Sequence, residues 1–162
     1  MKADEILRII AFTILGAALM FIVQPWIYQN RIFYPIFSIE DVGVDTWISN
    51  DYNPGATMVF TVSVFSTVLW CVIANTAGSR KAADIFRWRV VWCVLLLLPI
   101  LSICGALIFF NSSQDALPSL AGCFVVDIIC LFWLPTATSS PKDLKYIPPG
   151  SFLLRRLIGL FR

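Results

Sequence analysis

Four apolar stretches, each about as long as a bilayer is thick, constrain this chain more than any motif in it. They cover about 9–28, 56–77, 88–110 and 117–134, and roughly 20 apolar residues in a helix cross a hydrocarbon core. Together they take up half of the 162 residues, so there is no room for a separate catalytic domain. Composition agrees: 59% of residues are apolar or aromatic and 14% are charged, against roughly 45–50% and 25% in an ordinary soluble domain. The expected fold is an all-α membrane protein with four transmembrane helices over residues 1–136. An ordered extracytoplasmic loop over 29–55 joins the first two, and a tail over 137–162 ends in an amphipathic interfacial helix at 152–162.

Lys2 and Arg8 ahead of the first stretch are compatible with a signal peptide. The stretch is long, however, and runs into Gln24-Pro25-Trp26 without a small-x-small cleavage site, so a retained anchor is expected. Pro25 sits near its far end, Asn53-Pro54-Gly55 reads as a turn into the second span, and Pro135 reads as the end of the fourth. Pro118 suits a first helical turn, whereas Pro99 is mid-span and predicts a kink in the third helix.

Orientation follows from lysine and arginine in short loops. Eleven of the twelve lie before the first span, between the second and third, or in the tail, and only Arg31 lies on the other side. Both termini are therefore expected in the cytoplasm of a bacterial inner membrane, or on the equivalent side of a thylakoid or organelle membrane. The basic residues point to topology and anionic lipid and give no indication of nucleic acid.

The loop over 29–55 carries too many apolar groups to be a linker, Ile32, Tyr34, Phe37, Val44, Trp47 and Ile48 among them. Ser38 and Asp41 suggest a capped short helix over Ile39–Ile48. The loop's acidic residues lack the alternating oxygen ligands of a calcium loop and read as a solvated rim. In the tail, Pro148-Pro149-Gly150 is a stiff turn and Ser151 a helix cap. The segment that follows divides into a leucine-rich face and a basic face with Arg155, Arg156 and Arg162, as expected for a helix at the membrane surface.

Histidine is absent, which removes serine–histidine and cysteine–histidine catalysis and histidine-ligated metals or haem. All five cysteines fall in predicted spans without a C-x-x-C pair, so they read as small buried hydrophobes ahead of any metal or redox ladder. Asp127 is the sharpest single residue. It lies roughly 13 Å from either end of its span, too deep for a short side chain to reach headgroups. It must face protein, be hydrogen-bonded or be protonated. Three readings follow: a packing hydrogen bond to a serine, threonine, asparagine or tryptophan on a neighbouring helix, a proton or cation relay, or an assembly contact with a group on another subunit. Thr13 with Ala17, Ser102 with Ala106, and Ser119 with Cys123 are small-xxx-small pairs that favour close helix packing.

These features predict a non-enzymatic subunit without metal or cofactor. It would serve as an accessory, assembly or scaffold component among membrane lipids and other integral membrane proteins, or copies of itself. Its aromatic residues would also suit a lipid, pigment or quinone groove. The alternative is a small oligomeric channel or transporter with Asp127 as its intramembrane polar site.

Overall fold

The computed structural model describes residues 3–32, 43–76, 85–141, 144 and 147–157. Among them are five joined helices: α1 (Ala3–Gln29), α2 (Val44–Thr76), α3 (Ile85–Phe109), α4 (Gln114–Ser139) and the short α5 (Ser151–Leu157). The first four are long and apolar enough to span a membrane, which makes this a multi-pass integral membrane bundle. They alternate in direction. One end of the bundle, the tail end, holds Ala3, Thr76, Ile85 and Ser139, and the other, the loop end, holds Gln29, Val44, Phe109 and Gln114.

α2 and α4 each pack against all three other spans, with α1 and α3 as the flanks. In the most apolar window of each helix, 39% of α2 and of α4 is buried, against 33% of α3 and 17% of α1. Ile10, Ile14, Leu97, Leu101, Val125 and Ile129 stay exposed, as lipid-facing positions do when the solvent is hydrocarbon.

Three prolines shape these helices differently from the sequence expectation. Pro25, Pro54 and Pro135 do not terminate anything; α1, α2 and α4 run straight through them. Each follows, after one intervening residue, a five-residue π turn: Leu19–Val23, Ile48–Tyr52 and Ile129–Trp133. The intervening residues Gln24, Asn53 and Leu134 donate their N–H five residues back, to Leu19, Ile48 and Ile129. A proline has no N–H to continue either register, so widening the turn before it lets the helix proceed. Asn53-Pro54-Gly55 is thus the interior of a 33-residue helix and not a turn. α3 passes through Pro99 as one α-helix, and Ser102 Oγ donates to the Pro99 carbonyl at 2.7 Å.

The π turns also decide which side chains face inward. In an α-helix four residues advance about 400°, so an i, i+4 column drifts by about 40° per step. A wider turn absorbs that drift. Gly16, Met20, Gln24 and Tyr28 are all buried in one column of α1, and Phe124, Ile128, Phe132, Thr136 and Ser140 in one column of α4 and its exit.

Close approach depends on residues other than most of those expected. Thr13 and Ala17 are only half-buried, and Thr13 Oγ1 bonds back to the Ile9 carbonyl of its own helix. The contact of α1 with α4 is made at Gly16, where a Cβ would stand 2.3 Å from Leu131 Cδ2. Ser102 and Ala106 are buried, and a Cβ on Gly55 of α2 would lie 3.4 Å from that of Ala106. The segment expected to be capped by Ser38 and Asp41 lies outside the described residues up to position 42. From Gly43, at φ +81°, the chain enters α2 at once.

Candidate functional site

Asp127 sits mid-way along α4 and is fully buried. Its Oδ1 accepts a hydrogen bond from Gln24 Nε2 of α1 at 2.7 Å. Gln24, 3% exposed, is turned inward by the π turn that precedes Pro25. The Tyr52 hydroxyl of α2 lies 2.6 Å from Gln24 Oε1 and 2.6 Å from the Met20 carbonyl. In the π register the Met20 carbonyl would be served by Pro25, which has no N–H, so the tyrosine takes a position that the proline leaves open. The network links three spans through an acid, an amide and a phenol.

A second branch runs alongside. Tyr28 Oη donates to Ser119 Oγ at 2.9 Å, and Ser119 donates to the Ala116 carbonyl at 3.0 Å. Cys123, half-buried, stands beside Tyr28 and one turn from Asp127. Towards the loop end an aromatic cluster closes the site. Tyr28 and Trp47 have ring centroids 5.0 Å apart, Trp47 and Tyr52 6.0 Å, and Tyr52 and Phe124 6.1 Å.

Several buried atoms have no hydrogen-bond partner among the described residues. They include Asp127 Oδ2, Ser63 Oγ and Ser66 Oγ. The two serines lie on α2 between Tyr52 and Thr67, which touch Phe124 and Leu131 of α4; Asp127 lies between those two on α4. All three oxygens thus lie in the middle part of their helices. Buried polar groups almost always find a partner, which makes the Asp127 oxygen the notable one of the set.

The tail end is, by contrast, closely bonded. Thr67 Oγ1 donates to the Leu131 carbonyl at 2.6 Å, four residues before Pro135 and so without its usual α-helical donor. Trp70 Nε1 donates to Ser140 Oγ at 2.9 Å and Trp92 Nε1 to Thr136 Oγ1 at 3.2 Å. Arg155, expected on a basic face toward headgroups, is buried: its Nε donates to the Ala137 carbonyl at 2.6 Å and its Nη2 to that of Ser140 at 2.8 Å. Arg8 Nη1 reaches the Thr138 carbonyl at 2.8 Å. The last carbonyls of a helix lack intrahelical donors and carry its negative dipole end, and two arginines answer both needs. Burial lowers the Arg155 pKa, Arg8 lowers it further, and Glu5 works the other way; arginine remains charged throughout. Arg156 is exposed, and Arg162 is outside the described residues.

Among the described residues no three cysteine or acidic side chains gather as metal ligands. Cys93 and Cys104 are exposed on the flank of α3 and do not face Cys123 and Cys130. The sequence pointed to Asp127 as a polar site and to Ser119 only as a helix-packing residue, and it did not point to Gln24 or Tyr52. The available signal for Gln24 was an amide inside an apolar span immediately before a proline. Tyr52 carried no comparable signal while its segment read as loop. No protein family matches the chain, and neither does any curated protein or solved structure.

Proposed function

We propose that the protein is a small channel or transporter, acting as an oligomer, with Asp127 as the polar site its cargo meets inside the membrane. One observation carries this reading: a fully buried mid-span carboxylate has an oxygen without a partner among the described residues. A carboxylate at that depth costs about 2.5–3.5 kcal/mol on insertion scales. A packing contact alone would return roughly 0.6 kcal/mol. Interfacial packing thus leaves most of the cost unexplained, whereas a cation or proton meeting the carboxylate offsets it directly. The reading is non-enzymatic, since the acid's direct hydrogen-bond neighbour is an amide and not a second acid or base.

The test is flux into liposomes containing the purified full chain, compared with Asp127→Asn and with empty liposomes. Cation or proton flux that falls at least tenfold in the variant supports the reading. Flux equal to that of empty liposomes, or unchanged in Asp127→Asn, removes it.

The accessory or assembly role retains one observation of its own. Asn53, Thr57 and Thr61 form an exposed polar stripe on α2, beside a 680 Å³ groove also lined by Met58 and Val62. Polar groups on the outside of a membrane bundle suit contact with another span. Co-purification in mild detergent of a stoichiometric second membrane protein, lost in Thr57→Leu/Thr61→Leu, is the outcome that reading requires. For orientation, the charge asymmetry supports a tail end in the cytoplasm, and accessibility of single cysteines placed near Arg87 and Asn50 tests it.

A further inference from the structure

The Tyr52 hydroxyl has one hydrogen and two acceptors, each at 2.6 Å: the Met20 carbonyl and Gln24 Oε1. Only one can be served at a time. An amide's nitrogen and oxygen occupy nearly the same space, so the Gln24 head fits its site in either orientation. The two orientations go with different protonation of Asp127, because a proton on Oδ2 would meet no acceptor among the described residues, whereas one on Oδ1 faces the Gln24 head. With Gln24 Nε2 toward the acid, Nε2–H donates to an ionised Oδ1, Tyr52 donates to Gln24 Oε1, and the Met20 carbonyl has no hydrogen from Tyr52. With the head rotated by half a turn, Nε2–H donates to the Tyr52 oxygen and Tyr52 donates to Met20. Gln24 Oε1 then faces Oδ1, and that contact is a hydrogen bond only if Asp127 carries a proton. In the second arrangement the Asp127 O–H, the Tyr52 O–H and the Gln24 N–H that faces Tyr52 each have an acceptor, and no net charge stays buried.

From this geometry we propose that Asp127 is a proton-binding site and that the Gln24 amide turns over when the proton binds. The proton comes from water and returns to it; one proton is gained, the carboxylate becomes a neutral acid, and no other bond order changes. Uptake moves the Tyr52 hydrogen from Gln24 to the Met20 carbonyl, which fastens α2 to the π turn of α1. Release undoes that link. The proton thereby couples to the helix pair at the loop end, and it names the cargo class for the site proposed above, a reading on which the transport meaning of this step rests.

Every titratable group packed around the acid is compatible with a single exchangeable proton. Tyr28 approaches from α1 and Tyr52 from α2, and Cys123 and Cys130 share α4 with it. From α3 the cysteines Cys93 and Cys104 point outward, and Arg87 and Arg89 lie exposed near its tail end. Among the described residues the side chain bonded to Asp127 is the neutral Gln24 amide, so no fixed cation bonds the carboxylate in place of the proton.

Difference infrared spectroscopy of the full chain in lipid bilayers, from mildly acidic to mildly alkaline pH, tests the proposal. The expected result is a carboxylic C=O band that disappears as pH rises, together with a shift of one side-chain amide C=O band. Both should be absent from Asp127→Asn, whose carboxamide donates to Gln24 as the protonated acid does and so keeps the fold. Gln24→Ala should keep a titrating carboxylic band and lose the amide shift. Absence of an Asp127-dependent carboxylic band, a band that never titrates, or a titration without amide change overturns the proposal. The readout does not depend on transport. Flux lost in Asp127→Asn with no titrating acid would retain the functional reading and remove this one, and the reverse pair of results would do the opposite.

Discussion

Gln24 is the residue on which the central network turns, because among the described residues its amide is the hydrogen-bond partner that reaches Asp127 from another helix. Truncating it to leucine leaves both carboxylate oxygens without a protein partner and returns Tyr52 to Met20 alone. A buried acceptor deprived of its donor costs about 1–3 kcal/mol, more where charge is involved. Gln24→Leu is therefore expected to lower stability by at least that amount in denaturation from mixed micelles. The same substitution in an Asp127→Leu background should cost much less, because the orphaned partner has been removed as well. Equal costs in the two backgrounds would show that the hydrogen bond contributes nothing. Tyr52→Phe should behave as an intermediate case, losing about 0.6–1.7 kcal/mol as interhelical bonds in membranes do.

The elements show why the four spans were legible in the sequence and the site within them only half so. Span length and apolarity are set by the bilayer, so the chain had to state them openly in its composition. Asp127 was visible because a charge at mid-span is conspicuous, but its partners depended on helix phase. Sequence periodicity at 3.6 residues per turn loses phase after a π turn, and three such turns precede Pro25, Pro54 and Pro135. For the same reason prolines that read as helix ends proved to be interior. At this scale Thr67 and Pro135 form a testable pair. Thr67→Val alone strands the Leu131 carbonyl, at a cost of about 1–3 kcal/mol. With Pro135→Ala present, residue 135 regains an N–H for that carbonyl, and Thr67→Val should become nearly neutral. Additive losses in the double variant would mean that the proline is not what makes the threonine necessary. Gly16→Ala, which pushes a methyl into the buried Leu131 at the same π turn, should destabilise by about 1–3 kcal/mol as overpacked sites do.

For the whole molecule, the middle and the tail end of the bundle contrast in how they are satisfied. The middle parts of α2 and α4 keep oxygens without partners among the described residues, while the tail end uses two arginines, two tryptophan N–H groups and a threonine to occupy the carbonyls and hydroxyls of the last turns of α4. The loop end has cross-helix bonds of its own, Tyr28 to Ser119 and Gln29 to Asp45 among them, and the tail end's bonds form the anchor for α5. Arg155 joins α5 to that anchor through a fork that spans the Ala137 and Ser140 carbonyls. A lysine has the charge but not the fork, and cannot reach both carbonyls from one planar group. Arg155→Lys should therefore fail to restore what Arg155→Ala removes: both variants should release α5 and raise the proteolysis rate after residue 141 by similar factors. Because the partners are carbonyls and not carboxylates, added salt should change the wild-type cleavage rate little, since exposed ion pairs are the contacts that salt screens. Full protection in Arg155→Lys would show instead that charge near the end of α4 is enough to hold the tail, and that the geometry of the fork is incidental.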